Sequence, residues 1–387
     1  MRCWYRFRIA FSALAATLLA LLATCPSQAQ VDNSGLEHRY REPRPDPLSL
    51  SPQQTLSLSL YSFSYFRNYE YFNEFADGLT YFGTQLKPEL VFRPGKHVSL
   101  HGGVFLAKDF GASGFREVQP LLSVRYQKNG IGFITGAIDP HLSHRYIEPL
   151  LDYDKSITDP VEYGTQLKFD RPVHRTDIWL NWKHMIYKPS SEQEEILAGV
   201  NTSLHVLRKK EFELSIPIQV IGWHSGGQID TTALSAKTLL NLATGIEFAW
   251  NRNGAVEKIF TKNYLLGFGN SEGDGPYEEG TGLYLNAGVE TRWLDVLLSY
   301  WRGHRFVAPA GAPVFQSVSS HVDHPGLTRD NRSLLFLRLK KDFTLDDALF
   351  VSARLEPFWD FQGRYADYSV SLFVVYQGFF DLFRFSR

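Results

Sequence analysis

The sequence predicts an all-β chain closed into an antiparallel, up-and-down transmembrane β-barrel of about sixteen strands, with fourteen as the lower bound. Three observations carry this. Two-residue alternation of apolar and polar side chains runs from Thr55 to the C-terminus with almost no helical interruption; long and short connections alternate along the chain; and a secretory-type leader opens it. Alternation alone fits a soluble sandwich as well as a barrel, because successive side chains on any strand point to opposite faces. Loop lengths sorted by parity fit the barrel, since outer-membrane barrels keep short turns on the periplasmic side and long loops outside.

The leader is MRCWYRFRIAFSALAATLLALLATCPSQAQ, with Arg2, Arg6 and Arg8 ahead of an apolar run and Ser27-Gln28-Ala29 behind it. That order is a basic segment, an apolar segment and a cleavage site, so residues 1–29 are expected to be a signal peptide. Both cysteines, Cys3 and Cys25, fall inside it, which leaves no thiol for a disulfide, a nucleophile or a metal. Losing its three arginines takes the formal charge from −1 to −4. So balanced a chain lacks the basic stripe of a nucleic-acid binder. Residues 30–53, broken by Pro43, Pro45, Pro47 and Pro52, are expected to be an extended periplasmic tail, and residues 54–387 the barrel.

Strands are expected over residues 55–66, 79–94, 97–107, 117–127, 131–138, 161–170, 175–187 and 193–207, then 211–223, 237–250, 254–269, 280–292, 295–306, 332–343, 348–360 and 366–378. After odd strands come long segments such as 139–160 and 307–331; after even strands come tight ones such as PG at 95–96 and WL at 293–294. KPSSE and QGRYA are short where long loops are expected. No apolar run spans a bilayer as a helix, and a sheet that spans one must close, because its edge groups have no water to bond.

In VEYGTQLKFD, Val161, Tyr163, Thr165, Leu167 and Phe169 oppose Glu162, Gly164, Gln166, Lys168 and Asp170. Val118, Leu122 and Val124 oppose Gln119, Ser123 and Arg125 in the same way, as do Leu240, Leu242 and Ile246 against Asn241, Ala243 and Glu247. In a barrel the apolar set meets lipid. The lumen is then lined by Arg125, Glu162, Gln166, Lys168, Glu213, Glu247, Glu290, Arg292, Arg338, Lys340, Arg354 and Glu356, charges of both signs that would set the field a solute meets. Trp179, Trp182, Tyr187, Trp250, Tyr300 and Trp301 are candidates for interfacial girdles, with single core aromatics the plain alternative. The terminal YQGFFDLFRFSR offers the aromatic-rich end by which barrel assembly machinery recognises such chains, although it ends on Arg387.

Candidate chemistry is sparse. DPHLSH (Asp139, His141, His144) and HVDH (His321, Asp323, His324) lie in loops expected on the same side, where their imidazoles could meet around a zinc-like ion. Solvated loop histidines are the simpler reading. Ser225 follows His224, but the nucleophile-elbow pattern is absent and neighbours on a strand point apart. Glu148, Asp152, Asp154 and Asp159 offer carboxylates near the outer mouth, for calcium or for an acid and base pair. No P-loop or dinucleotide fingerprint occurs, and no cofactor is expected.

The run FRNYEYFNEFADGLTYFGTQLKPEL, the stretches GVFLAKDFG and RYIEPLLDYD, and DIWLNWKHMIYKPSSEQEEI resemble a group of uncharacterised outer-membrane β-barrel proteins of Gram-negative bacteria. The resemblance spans about residues 60–200 and implies the barrel and the outer membrane, with no catalytic residues to carry over. The expectation is therefore a non-enzymatic porin or substrate-specific passive channel for small polar solutes, in contact with outer-membrane lipid. Two alternatives stand beside it: a barrel that binds surface or exported polysaccharide through its long loops, and a hydrolase with its site at the outer rim.

Overall fold

A computed structural model describes Leu36 and residues 54–227, 229–272 and 275–385. Sixteen antiparallel strands close on themselves, each bonded to its neighbours in sequence and β1 to β16. They are β1 Gln54–Glu70, β2 Thr80–Arg93, β3 Val98–Asp109, β4 Glu117–Lys128, β5 Ile131–Ala137, β6 Tyr163–Asp170, β7 His174–His184 and β8 Glu195–Arg208. The second half is β9 Phe212–Ser225, β10 Lys237–Asn251, β11 Val256–Asn270, β12 Glu279–Thr291, β13 Asp295–His304, β14 Asn331–Asp346, β15 Leu349–Asp360 and β16 Tyr365–Phe385. The expected number and order hold. The main difference is β16, which runs on to Phe385 because its aromatic end pairs with the start of β1, Gln54 opposite Phe385, and so seals the barrel. The expected leader lies outside the described residues, and of the tail Leu36 alone is described.

The outer surface is apolar where alternation requires it. On β10 Leu240, Leu242 and Ile246 are exposed while Asn241 and Ala243 are buried, and on β4 Leu122 is exposed while Leu121 and Ser123 are buried. A closed sheet, greasy outside and with every strand bonded to both neighbours, is the β solution to a bilayer. The chain is an outer-membrane protein.

The lumen is not a plain polar tube. The β5–β6 connection, residues 138–162, and the β13–β14 connection, residues 305–330, fold inward. Leu150, Leu151, Phe306 and Phe315 from these loops pack on inward-facing Trp179, Tyr284, Trp301, Phe336 and Phe358. Trp179 and Trp301 are thus lumen residues, a correction to the girdle assignment; burial inside the plug, at 2% and 0% exposure, leaves neither available to a membrane interface. A second cluster seats Leu36 against Tyr61, Phe63 and Tyr65 of β1, Phe373 and Val375 of β16, and Ile157 of the inward loop. The Tyr61 hydroxyl donates to the Leu36 carbonyl at 2.9 Å.

Candidate functional site

The inward loops are held by buried charge. Arg332 of β14 and Asp360 of β15 pair at 2.7 Å with neither side chain exposed. Arg332 also donates to the carbonyls of Val314 and Gln316, at 2.8 and 2.9 Å, and lies 3.6 Å over the Phe75 ring. Across the lumen Arg67 of β1 lies 3.2 Å from both Asp154 and Glu356. Arg338 reaches Glu356 at 3.2 Å and pairs with Glu148. The Tyr153 hydroxyl donates to Glu356 at 3.1 Å. Each arginine thus ties an inward loop to the wall, which a mobile lumen charge would not do.

The 139–160 segment contributes a second cluster through the short helical turn His141–His144. Residues three apart eclipse on such a turn, so His141 and His144 both reach Glu162 at the head of β6. His144 is clamped: Nδ1 lies 2.8 Å from Asp177 of β7, Nε2 lies 3.1 Å from Glu162, and the ring stacks on Trp179 at 4.2 Å. Gln166 donates to Asp177 at 2.9 Å, and Asn181 to Glu162 at 3.3 Å. Burial alone would lower the His144 pKa, but the Glu162 and Asp177 carboxylates raise it to about 9.

His141 differs. Its Nδ1 is 3.2 Å from Glu162 Oε2, yet the ring is not aligned for a hydrogen bond and neither ring nitrogen has a hydrogen-bond partner among the described residues. Burial holds His141 down, to about 4, against the pull of Glu162, so the ring is neutral at neutral pH. The Ser143 hydroxyl beside it is also buried without a partner. These side chains line a cavity of about 550 Å³ whose far walls reach Arg208 and Glu213 beside the short turns. Asp152 lines it too, and burial together with the neighbouring Asp154 carboxylate holds its acid form.

The residues expected in the lumen now have places. Glu162 and Gln166 belong to the histidine cluster. Arg125 and Lys168 both pair with Asp139. Glu247 accepts from Ser215 at 3.1 Å and from Tyr264, and Glu290 pairs with Lys258 at 3.3 Å. Lys340 pairs with Asp342 at 3.0 Å, and Arg354 donates to Ser352 at 3.1 Å. Arg338 and Glu356 belong to the arginine network, and Glu213, exposed near the short turns, accepts from Asn251 at 3.1 Å. Arg292 is a correction: β12 ends at Thr291, and Arg292 stands exposed in the following turn against Trp293.

His321 and His324 adjoin each other in the β13–β14 loop, ring centres 5.2 Å apart, while His141 and His144 are inside the lumen cluster. Among the described residues no group of three or more His, Cys, Asp or Glu is placed to hold a metal ion. Ser225 donates to Gln193 and His224 meets Thr238, so the two do not pair. Glu148 and Asp154, read from the sequence as mouth carboxylates, fold into the lumen against arginines, and Asp159 pairs with Lys183 at 2.8 Å. Sequence reasoning missed Arg67, Asp177 and Arg332. For Asp177 and Arg332 the inward register on strands already identified was the available signal; Arg67 lies one residue past the expected end of the first strand, which runs on to Glu70.

The barrel is similar to outer-membrane proteins of known structure. In-vitro folded OmpT of Vibrio cholerae aligns with TM-score 0.49 at 10% identity, over 84% of this chain and 98% of that one. OprD of Pseudomonas aeruginosa aligns at 0.47 and 10%, over 86% and 96%, and OccAB4 of Acinetobacter baumannii at 0.46 and 10%, over 85% and 99%. The chain matches none of the curated proteins with which it was compared. A family described as lipid A 3'-O-deacylase-type matches residues 46–385, almost the whole barrel. That is an enzyme family, and the match overturns the expectation of a barrel without enzymatic activity, which had rested on the absence of any short catalytic motif. The chain belongs to the lipid A 3'-O-deacylase-type family.

Proposed function

We propose that the chain is an outer-membrane ester hydrolase that removes an acyl chain from a lipid A-type glycolipid. The observation that carries the reading is His141, a buried neutral imidazole with a carboxylate at one nitrogen and, among the described residues, no hydrogen-bond partner at the other, on the wall of a lumen cavity. A general base needs a free lone pair and a group that steadies the resulting imidazolium. A small rotation aligns Nδ1–H with Glu162 Oε2. Nε2 then takes a proton from water as its oxygen attacks the ester carbonyl. Collapse of the tetrahedral intermediate breaks the bond to the sugar oxygen, which recovers the proton from Nε2, leaving a fatty acid and a free hydroxyl. His144, with both nitrogens engaged, is a positioning residue that fixes Glu162 and the loop. Family membership supports the substrate class.

The test is mass spectrometry of lipid A from cells expressing the protein. Loss of one acyl chain is expected with wild type and not with His141→Gln. Unchanged lipid A in both overturns the reading.

A second reading, a substrate-specific channel, is favoured by the charged cavity that reaches the short-turn side. The packed inward loops stand against free passage. Planar-bilayer conductance separates the two, since steady open steps from the wild-type barrel support a channel and sink a permanently filled lumen.

A further inference from the structure

The barrel wall has a low place next to Glu162. β5 has 7 residues and β6 has 8, between β4 with 12 and β7 with 11. At roughly 3.3 Å per residue and a tilt near 40°, seven residues rise about 18 Å, against an apolar band about 25 Å tall. The deficit is on the long-loop side, because the β4–β5 hairpin is complete at its short turn, Lys128 opposite Ile131. At the other end, pairing of β4 with β5 stops at Ser123 and Gly136. Gly136 has φ 99°, and a Cβ there would lie 2.2 Å from the Leu122 carbonyl oxygen, so the backbone turns in a way glycine alone permits. Above that point β4 residues 117–122 pair with β3 only, and β7 above Asn181 has no partner on β6. Pro120, which donates no hydrogen bond, stands on this open edge.

A second observation lies just inside. Phe105 and Ala107 of β3, Leu121 of β4 and Ala137 of β5 form a separate buried apolar cluster, with Val161 and Tyr163 packed on it; Glu117 and Gln119 share the inward face of β4, and the Lys87 ammonium lies 5.3 Å over the Phe105 ring. Tyr163 spans the gap and donates its hydroxyl to the Pro120 carbonyl. Its neighbour in sequence is Glu162, which holds His141 and His144.

We propose that this low wall is a lateral portal through which an acyl chain of an outer-leaflet lipid enters the lumen over Tyr163 and lies along the Phe105–Leu121–Ala137 surface, its ester beside Glu162 and His141. The proposal deepens the hydrolase reading and rests on it for its substrate. The occupant follows from position. The open edges lie in the outer-leaflet half of a wall bathed in lipid, and directly behind them is an apolar cluster set apart from the main one, bordered by Lys87, Glu117 and Gln119. Tyr163 is the gate, since it fills the gap through one hydroxyl bond and ring packing.

The experiment places a nitroxide at Ala137→Cys in a full-length chain whose Cys3 and Cys25 are replaced, reconstituted in phosphatidylcholine vesicles, and measures relaxation by oxygen and by a water-soluble nickel chelate. Ala243→Cys, also buried, on β10 and away from the gap, is the control. Oxygen access at residue 137 and not at 243, raised by Tyr163→Ala and lost with Tyr163→Trp, is expected. Equal oxygen access at the two sites, or access indifferent to residue 163, overturns the portal. Heat-modifiable gel migration checks that each variant folds; if Tyr163→Ala does not, the comparison of 137 with 243 decides. The outcomes separate from the enzyme reading. Hydrolysis by a chain whose residue 137 is closed to oxygen sinks the portal alone, and an open portal with intact lipid A sinks the hydrolase alone.

Discussion

Replacing Arg332 by Met tests what holds the β13–β14 loop in the lumen. The change keeps most of the side-chain bulk over Phe75 and strands Asp360, whose pairing at 2.7 Å is fully buried. Breaking a buried pair costs about 3–5 kcal/mol. Asp360 keeps the backbone N–H groups of Gln362 and Gly363, at 2.9 and 2.8 Å, which places that loss near the low end. The Val314 and Gln316 carbonyls each lose a donor, adding about 1 kcal/mol apiece. The sum, about 5 kcal/mol, is on the order of several thousandfold in the opening equilibrium of the loop. The assay is amide exchange of the refolded barrel, read at Ser317, whose N–H donates to the Phe306 carbonyl at 2.8 Å. Exchange there should accelerate by that factor while the strand amides are unchanged. The double variant Arg332→Met/Asp360→Leu should recover much of the loss, because it leaves no charge unpaired. Unaltered exchange in a heat-modifiable Arg332→Met barrel would refute the argument that this ion pair anchors the loop.

Three other outcomes follow from the same geometry. His144, raised to about 9 by Glu162 and Asp177, contributes anchorage that is complete below pH 6.5 and lost as pH rises through 9, on the order of 3 kcal/mol. Exchange at Ile157, corrected for intrinsic rate, should quicken over that window in wild type and not in His144→Gln. Leu36→Ala should cost about 2–5 kcal/mol at its buried site and loosen Ile157 opposite, with no change at Ser317; equal protection at Ile157 would contradict the packing. Deleting residues 306–319 should convert a poorly conducting barrel into one with clear single-channel steps, and identical traces before and after would contradict a lumen filled by that loop.

Much of the barrel was legible because period-two alternation and the parity of loop lengths are local signals. All sixteen strands could be placed within a few residues, apart from the extended end of β16. What alternation cannot tell is what meets the inward face. Trp179 and Trp301 read as interfacial aromatics, since the sequence has no marker for a loop that folds back and makes the inside of a wall apolar. For the same reason Glu148 and Asp154 read as solvated carboxylates, when their arginine partners lie about 190 and 90 positions away in sequence. The histidines of DPHLSH were visible as a pair. Their separation into a clamped His144 and an unpartnered His141 depends on Glu162 and Asp177, which only the β6–β7 register brings to them. Gly136 and Pro120 were in view as residues, but the low wall they mark needs the pairing of β4 with β5.

The central claim is that His141, with Glu162 behind it, removes an acyl chain. Its most direct test is the lipid A mass spectrum of cells expressing wild type, His141→Gln or Glu162→Gln, with folding checked by heat-modifiable migration. His141→Gln exchanges the two unpartnered buried nitrogens for a buried amide of similar volume that cannot act as a base, and heat-modifiable migration checks that the barrel still closes. The account predicts a species lacking one acyl chain with wild type and its absence with His141→Gln, from a barrel equally folded; deacylation that persists with His141→Gln would contradict it.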